Sequence, residues 1–181
     1  EPTDQWQNMG AENLLDLFYK DTKRWAYTFQ SYAFVSRVQK TLAHIMSPDA
    51  QAAVLERSVY CDRYCFAKNC FEAGTMSALE WHIYKEWFGW LITHHAPKPR
   101  GFIYLRATPE TCFKRLTKRN RSEESCVPLS YLKQLHAKHE DWLVNKIDVA
   151  PDLAKTPILI LDCNKEFETS SAKQQELVDA V

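Results

Sequence analysis

Three short apolar runs constrain the fold of this chain more than any other feature: Ala52-Ala53-Val54-Leu55, Gly101-Phe102-Ile103-Tyr104-Leu105 and Pro157-Ile158-Leu159-Ile160-Leu161. Each is bounded by polar or turn-forming residues, the pattern of a strand buried on both faces of a parallel sheet. Between them the apolar residues recur at helical spacing. Strands that alternate with helices predict an α/β domain with a parallel sheet. At 181 residues the chain has the length of one such domain.

Local signals set the expected boundaries. Glu1 to Gly10 reads as loop, and a short helix starts at Asn13. A long helix is expected from about Lys23 into the forties, closed by Ser47-Pro48. The strand over 52–55 follows, then a helix through Tyr64, Ala67 and Phe71 that stops at Gly74. Ser77 with Glu80 three residues on has the form of a capping box, opening a helix that breaks at Pro97. Thr108-Pro109-Glu110 supplies a cap, a proline at the first helical position and a first-turn acid. Pro128 opens another helix, and Ser170 or Ser171 caps the last.

Composition excludes several classes. The 23 basic and 23 acidic side chains cancel, so no global field draws nucleic acid or an anionic membrane, and neither is an expected partner. No apolar stretch approaches the ~20 residues of a membrane span. The six cysteines contain no Cys-x-x-Cys pair and read as reduced, mostly buried thiols of an intracellular protein. His136 and His139 beside Glu140 share a helical face, but no further ligands complete a metal site. The chain opens at Glu1 without a methionine or a signal-like segment, so residue 1 is expected not to be the natural start.

Chemistry concentrates in two places. Glu56-Arg57-Ser58 follows the first apolar run, where open α/β sheets place their ligands. A carboxylate, a guanidinium and a hydroxyl there suit a phosphate or metal-phosphate; a surface turn with an ion pair is the alternative. Asp62 and Arg63 follow close behind. Second, Arg115 and Arg119 share a helix face, Lys114 and Lys118 flank them, and Arg121 follows before the polar stretch Ser122-Glu123-Glu124-Ser125. This reads either as a solvated basic face or as a mobile lid that neutralises a transferred phosphoryl group. Trp6, Tyr19, Phe29 and Phe66 are aromatic residues suited to a core or to a ligand wall. Gln30 sits among them with an amide able to pair with a nucleobase edge.

These residues, in order, resemble a known family. Glu1-Pro2 with Trp6, Arg24 to Tyr32, Glu56 to Tyr64, Thr108 to Cys112, the arginine cluster, Glu123-Glu124, Pro128 to Leu132 and Leu161 to Asn164 closely resemble the deoxycytidine and deoxyguanosine kinase group of deoxyribonucleoside kinases. The resemblance implies a P-loop-type α/β three-layer sandwich with a parallel sheet between helices. It implies transfer of the γ-phosphoryl of ATP or another nucleoside triphosphate to the 5′-hydroxyl of a deoxyribonucleoside, in nucleotide salvage, with Mg2+ and as a homodimer. By resemblance Glu1 accepts the 5′-hydroxyl proton, Arg57 holds the 5′-oxygen and phosphate region, and Glu56 lies by the metal. Tyr19 and Glu124 grip the 3′-hydroxyl. Trp6, Phe29 and Phe66 wall the base, with Gln30, Arg37 and Asp62 at its edge. Arg115, Arg119 and Arg121 cover the donor phosphates, and Asp162, Asn164 and Phe167 lie against the donor base.

The family's Gly-x-x-x-x-Gly-Lys-Ser/Thr loop precedes the Glu-Pro pair, and these 181 residues contain no such segment. The chain is therefore expected to be a single N-terminally truncated kinase domain, lacking the first strand and the phosphate loop and inactive by itself. The alternative is a kinase-like subunit that only binds or scaffolds. Trp6-Gln7-Asn8 and Phe66-Ala67-Lys68-Asn69 lie closer to deoxyguanosine kinase, Ala33 to deoxycytidine kinase. The compartment, mitochondrial or cytoplasmic, is left open.

Overall fold

The computed structural model describes residues 1–45, 53–96 and 98–181, which form two compact units. Glu1–Pro97 and Ser122–Val127 make the first; Lys98–Arg121 and Pro128–Val181 make the second.

Unit one is helical. It contains α1 (Thr3–Gln7), α2 (Leu14–Lys20), α3 (Thr22–Ile45), α4 (Val59–Cys61), α5 (Lys68–Glu72) and α6 (Ala78–His94). Asn13 caps α2 by accepting the Asp16 N–H at 2.9 Å. Ala26, Phe29, Gln30, Ala33, Phe34, Arg37 and Val38 form one buried stripe along α3, spaced as a helix face requires. A π-helical stretch, Asp62–Ala67, joins α4 to α5 without a break. Gly74, at φ +72, ends that helix in the left-handed region where glycine carries no Cβ penalty. The predicted capping box closes as read: Ser77 N–H donates to Glu80 at 2.8 Å and Glu80 N–H to Ser77 Oγ at 3.2 Å. Aromatic rings fill the core, with Phe18 stacked on Phe29 at 4.5 Å and Trp81 on Tyr84 at 5.8 Å.

Two expectations are corrected here. Glu1 to Gly10 is not all loop, because Thr3–Gln7 winds one helical turn that buries Trp6. The predicted strand at 52–55 is absent over the residues described: Ala52 lies outside them, Ala53 to Leu55 carry no strand pairing, and Val54 is 83% exposed. An apolar run becomes a strand only beside a strand that takes its backbone hydrogen bonds. Among the described residues the sole paired strands are those of unit two. The helix ends expected at Ser47-Pro48 and Pro97 also lie outside the described residues.

Unit two is α/β. Strands β1 (Phe102–Arg106) and β2 (Ile158–Asp162) pair in parallel, in register from Phe102↔Ile158 to Arg106↔Asp162. A parallel pair needs a crossover, here α7 (Pro109–Arg119), α8 (Leu129–His139) with its π-helical continuation Glu140–Val144, and α9 (Pro151–Ala154). Helix α10 (Ser171–Asp179) closes the chain behind its Ser170 cap. Thr108 caps α7 with Pro109 inside the first turn, and Asn120 ends it at φ +49. The sheet packs on the α8 segment through Phe102 against Trp142 at 5.1 Å and Tyr104 against His139 at 5.9 Å. This is the α/β class with a parallel sheet that the sequence predicts.

The return of Ser122–Val127 to unit one rests on Glu123. Its Oε1 accepts from Gln7 at 2.6 Å and Asn13 at 3.0 Å, and its Oε2 from Ser122 at 3.0 Å. The Asn13 bond, with those of its own backbone, Gln7 and Ser122, outweighs burial and lowers the Glu123 pKa to about 2. A depressed carboxylate pKa stabilises the fold above the ordinary value and loses that contribution as pH falls through about 2. Glu123→Gln is therefore expected to cost about 1–3 kcal/mol at neutral pH. It should also flatten the decline of the urea midpoint with acidification, read by circular dichroism.

Candidate active site

The charged centre of unit one is Arg37. Its buried guanidinium donates to the Glu1 carboxylate from Nε at 3.0 Å and from Nη2 at 2.9 and 2.7 Å. Nη1 meets Asp62 Oδ1 on the π-helical turn. Arg57 reaches the same Glu1 carboxylate at 2.9 Å. Two carboxylates and two guanidiniums thus form one network. Burial raises the Glu1 pKa, but Arg37 and then Arg57 overcome it, so the group is held below the usual carboxylate value. Burial pushes Asp62 up to about 7 against the opposing pull of Arg37.

An aromatic ring lies against each arginine of this network. The Arg37 guanidinium lies 4.9 Å from the Trp6 ring centre, and that of Arg57 lies 4.9 Å from Phe66. Trp6 meets Phe29 edge-on at 5.4 Å and is fixed by its Nε1–H donating to Ser36 Oγ at 2.9 Å. Gln30 lies two turns before Arg37 on α3 and is 1% exposed; its Nε2 faces Cys70 Sγ at 3.9 Å. Its Oε1, like Asp62 Oδ2, is a buried acceptor without a donor. Such groups cost free energy unless something supplies the bond. Arg57 carries φ +60, a backbone state uncommon outside glycine, and it sits where the chain turns between Glu56 and Ser58.

Eight of the residues singled out in the sequence are therefore gathered in unit one: Glu1, Trp6, Phe29, Gln30, Arg37, Arg57, Asp62 and Phe66. Tyr19 is half-buried, with its ring 5.2 Å from Phe18, and Glu124 is buried next to Glu123. Glu56 is exposed at the surface, 3.6 Å from the Glu1 nitrogen. Sequence reading missed Ser36 and Cys70, the immediate partners of Trp6 and Gln30. The i, i+3, i+4 spacing that sets Ser36 with Phe29 and Ala33 on one face of α3 was the signal that could have found Ser36.

The remaining candidates belong to unit two. Arg115 donates to the Lys165 carbonyl at 3.0 Å and lies 5.0 Å over Phe167. Arg119 ends α7, and Arg121 follows it. Asp162 accepts from the Asn164 backbone and side chain at 2.9 and 2.7 Å. At the carboxyl ends of β1 and β2 lies an open cleft of ≈ 350 Å³, lined by Arg106, Thr108, His136, Asp162 and Asn164 among others. That is the end at which parallel sheets bind ligands. His139 Nδ1 is 2.7 Å from the Leu135 carbonyl and His136 is 4.0 Å from Glu140.

The family model for deoxynucleoside kinase matches residues 1–181. The chain belongs to the deoxynucleoside kinase family. It is 44% identical over 178 residues to deoxycytidine kinase 2 of Gallus gallus, covering 93% of this chain and 67% of that protein. It is 38% identical to the mitochondrial deoxyguanosine kinase of Xenopus laevis, covering all of this chain and 76% of that one. Human deoxycytidine kinase is 43% identical over 177 residues, covering 93% of this chain and 67% of the human protein. The relatives thus include both kinase types named by the sequence resemblance. A kinase of this family needs nucleoside and nucleoside triphosphate substrates, and no described helix is long and apolar enough to cross a membrane.

The coupling between Arg37 and Asp62 is measurable without a substrate. Arg37→Met alone strands Asp62 and should cost about 3–5 kcal/mol. Adding Asp62→Ala should recover part of that loss, giving a double variant more stable than the sum of the singles. A denaturant-unfolding double-mutant cycle with strictly additive values would show the pair to be uncoupled.

Proposed function

We propose that the protein transfers the γ-phosphoryl of ATP or another nucleoside triphosphate to the 5′-hydroxyl of a deoxyribonucleoside whose base carries an amino group: deoxyguanosine, deoxyadenosine or deoxycytidine. The observation that carries this reading is the pair of orphaned buried acceptors: Asp62 Oδ2, on the carboxylate that pairs with Arg37, and Gln30 Oε1, two turns before Arg37 on α3. An amino-bearing base supplies the donors these acceptors lack. Trp6, Phe29 and Phe66 wall the base, while Tyr19 and Glu124 hold the 3′-hydroxyl.

In this reading Glu1, held ionised by its two arginines, accepts the 5′-hydroxyl proton as the oxygen attacks. Arg57 steadies that oxygen and the incoming phosphoryl. Phosphoryl transfer is mainly positioning and electrostatics, so a weak base suffices. Glu56 presents an exposed carboxylate oxygen of the kind Mg2+ takes alongside phosphate. When bound, the ion neutralises charge on the phosphate oxygens. Arg115, Arg119 and Arg121 face the donor phosphates, with Asp162, Asn164 and Phe167 against the donor base. A homodimer through the long helices is part of the proposal: Val35 on α3 and Leu79, Trp87 and Trp90 on α6 leave apolar surface exposed. The site of action is mitochondrial or cytoplasmic nucleotide salvage.

The full-length protein should phosphorylate deoxyguanosine, deoxyadenosine or deoxycytidine from ATP and use thymidine poorly. Arg37→Met with Asp62→Ala should gain thymidine relative to its parent and lose discrimination, because hydrogen-bonding sites discriminate by powers of ten and a methyl group by only ~1–3 kcal/mol. Competing-substrate kinetics decide the matter. Unchanged rejection of thymidine removes Arg37 and Asp62 from base choice, and binding without transfer favours the scaffold reading.

The lid gives a separate test. Arg119→Ala should lower kcat about a hundredfold, the equivalent of ~3 kcal/mol at the transition state. A raised nucleoside KM with unchanged turnover would count against that role.

A further inference from the structure

Helix α7 and the segment Asp162–Glu168 are joined at three successive points within unit two. At the helix start the Thr108 N–H donates to Asn164 Oδ1 at 2.8 Å. Two turns on, Arg115 donates to the Lys165 carbonyl at 3.0 Å and lies 5.0 Å over the Phe167 ring. One turn further, on the same face, Lys118 pairs with Glu168. The segment is also shaped from within. Asp162 Oδ1 holds Asn164, Glu166 Oε1 accepts the Phe167 and Glu168 N–H groups at 2.9 and 2.7 Å, and Gln174 donates to the Glu168 carbonyl at 2.9 Å. The loop is thus laid along the helix from its cap to its last turn.

Lys118 and Glu168 are exposed, and exposed ion pairs contribute little to stability. Their effect is on where the end of the loop lies. Without the pair, the Thr108–Asn164 bond and the contacts of Arg115 with Lys165 and Phe167 are the ties that remain of the three described.

Resting on the kinase reading above, we propose that Lys118 and Glu168 are positioning residues. They strap the loop against the donor base to the helix that carries the lid arginines, acting through the Arg115–Phe167 contact. The two then move as one body, so docking of the donor base delivers Arg115 and Arg119 to its phosphates. The strap serves the donor nucleotide and leaves the nucleoside untouched.

The test uses the full-length protein with Lys118→Gln, Glu168→Gln and the charge swap Lys118→Glu/Glu168→Lys. Amide hydrogen exchange at Asn164–Glu168 should speed up in each single variant and return toward the parent rate in the swap. The KM for ATP should rise about two- to fivefold in the singles, the size of an exposed ion pair, with the deoxyribonucleoside KM unchanged and the swap restoring both readouts. Loop exchange that stays at the parent rate in both single variants overturns the strap. So does a rise of the two KM values together. Failure of the parent protein itself to transfer phosphate from ATP overturns the kinase reading and the donor role with it, and is seen before any substitution is made.

Discussion

Unit one is organised around a cation it cannot leave unpaired. Arg37 is buried on α3, and a guanidinium in that position is stable only with carboxylates against it. Asp62 comes from the π-helical turn, Glu1 from the residues before α1, and Arg57 answers the second oxygen of Glu1. One charge therefore ties together three separated pieces of chain. The aromatic rings that exclude water from it, Trp6 above all, strengthen each of those interactions by lowering the local dielectric.

The same network explains why unit one has polar groups at its heart. Gln30 and Asp62 each leave one buried acceptor open. A core built only for stability would have apolar residues there, so the open acceptors are a cost of folding. The π-helical segment serves this arrangement. It places Asp62 and Phe66 on a helix whose hydrogen bonds span an extra residue, a device frequent at functional sites.

Much of this was legible in the sequence, and the legible part was local. Asn13, Ser77 with Glu80, Thr108-Pro109, Pro128 and Ser170 each announce a helix start through chemistry confined to a few residues. Strand identity over 52–55 was not legible, because four apolar residues do not say whether a neighbour waits to pair with them. Helix α1 is too short to show a period. At the site, the residue types could be picked out and the family resemblance ordered them. The bonds from Gln7 and Asn13 to Glu123 and from Lys118 to Glu168 could not be read, since they join residues 116, 110 and 50 positions apart.

The excursion of Ser122–Val127 has a consequence for the order of assembly. The chain passes from unit one to unit two, back for these residues, and then on to unit two again. During synthesis from the amino end, at ~5–20 residues per second, Gln7 and Asn13 emerge long before the carboxylate they bind. Unit one therefore waits for a segment made after β1 and α7. A ribosome-bound chain cut short before Ser122 holds helices α1 to α6 and still lacks the clasp that Glu123 makes with Gln7 and Asn13.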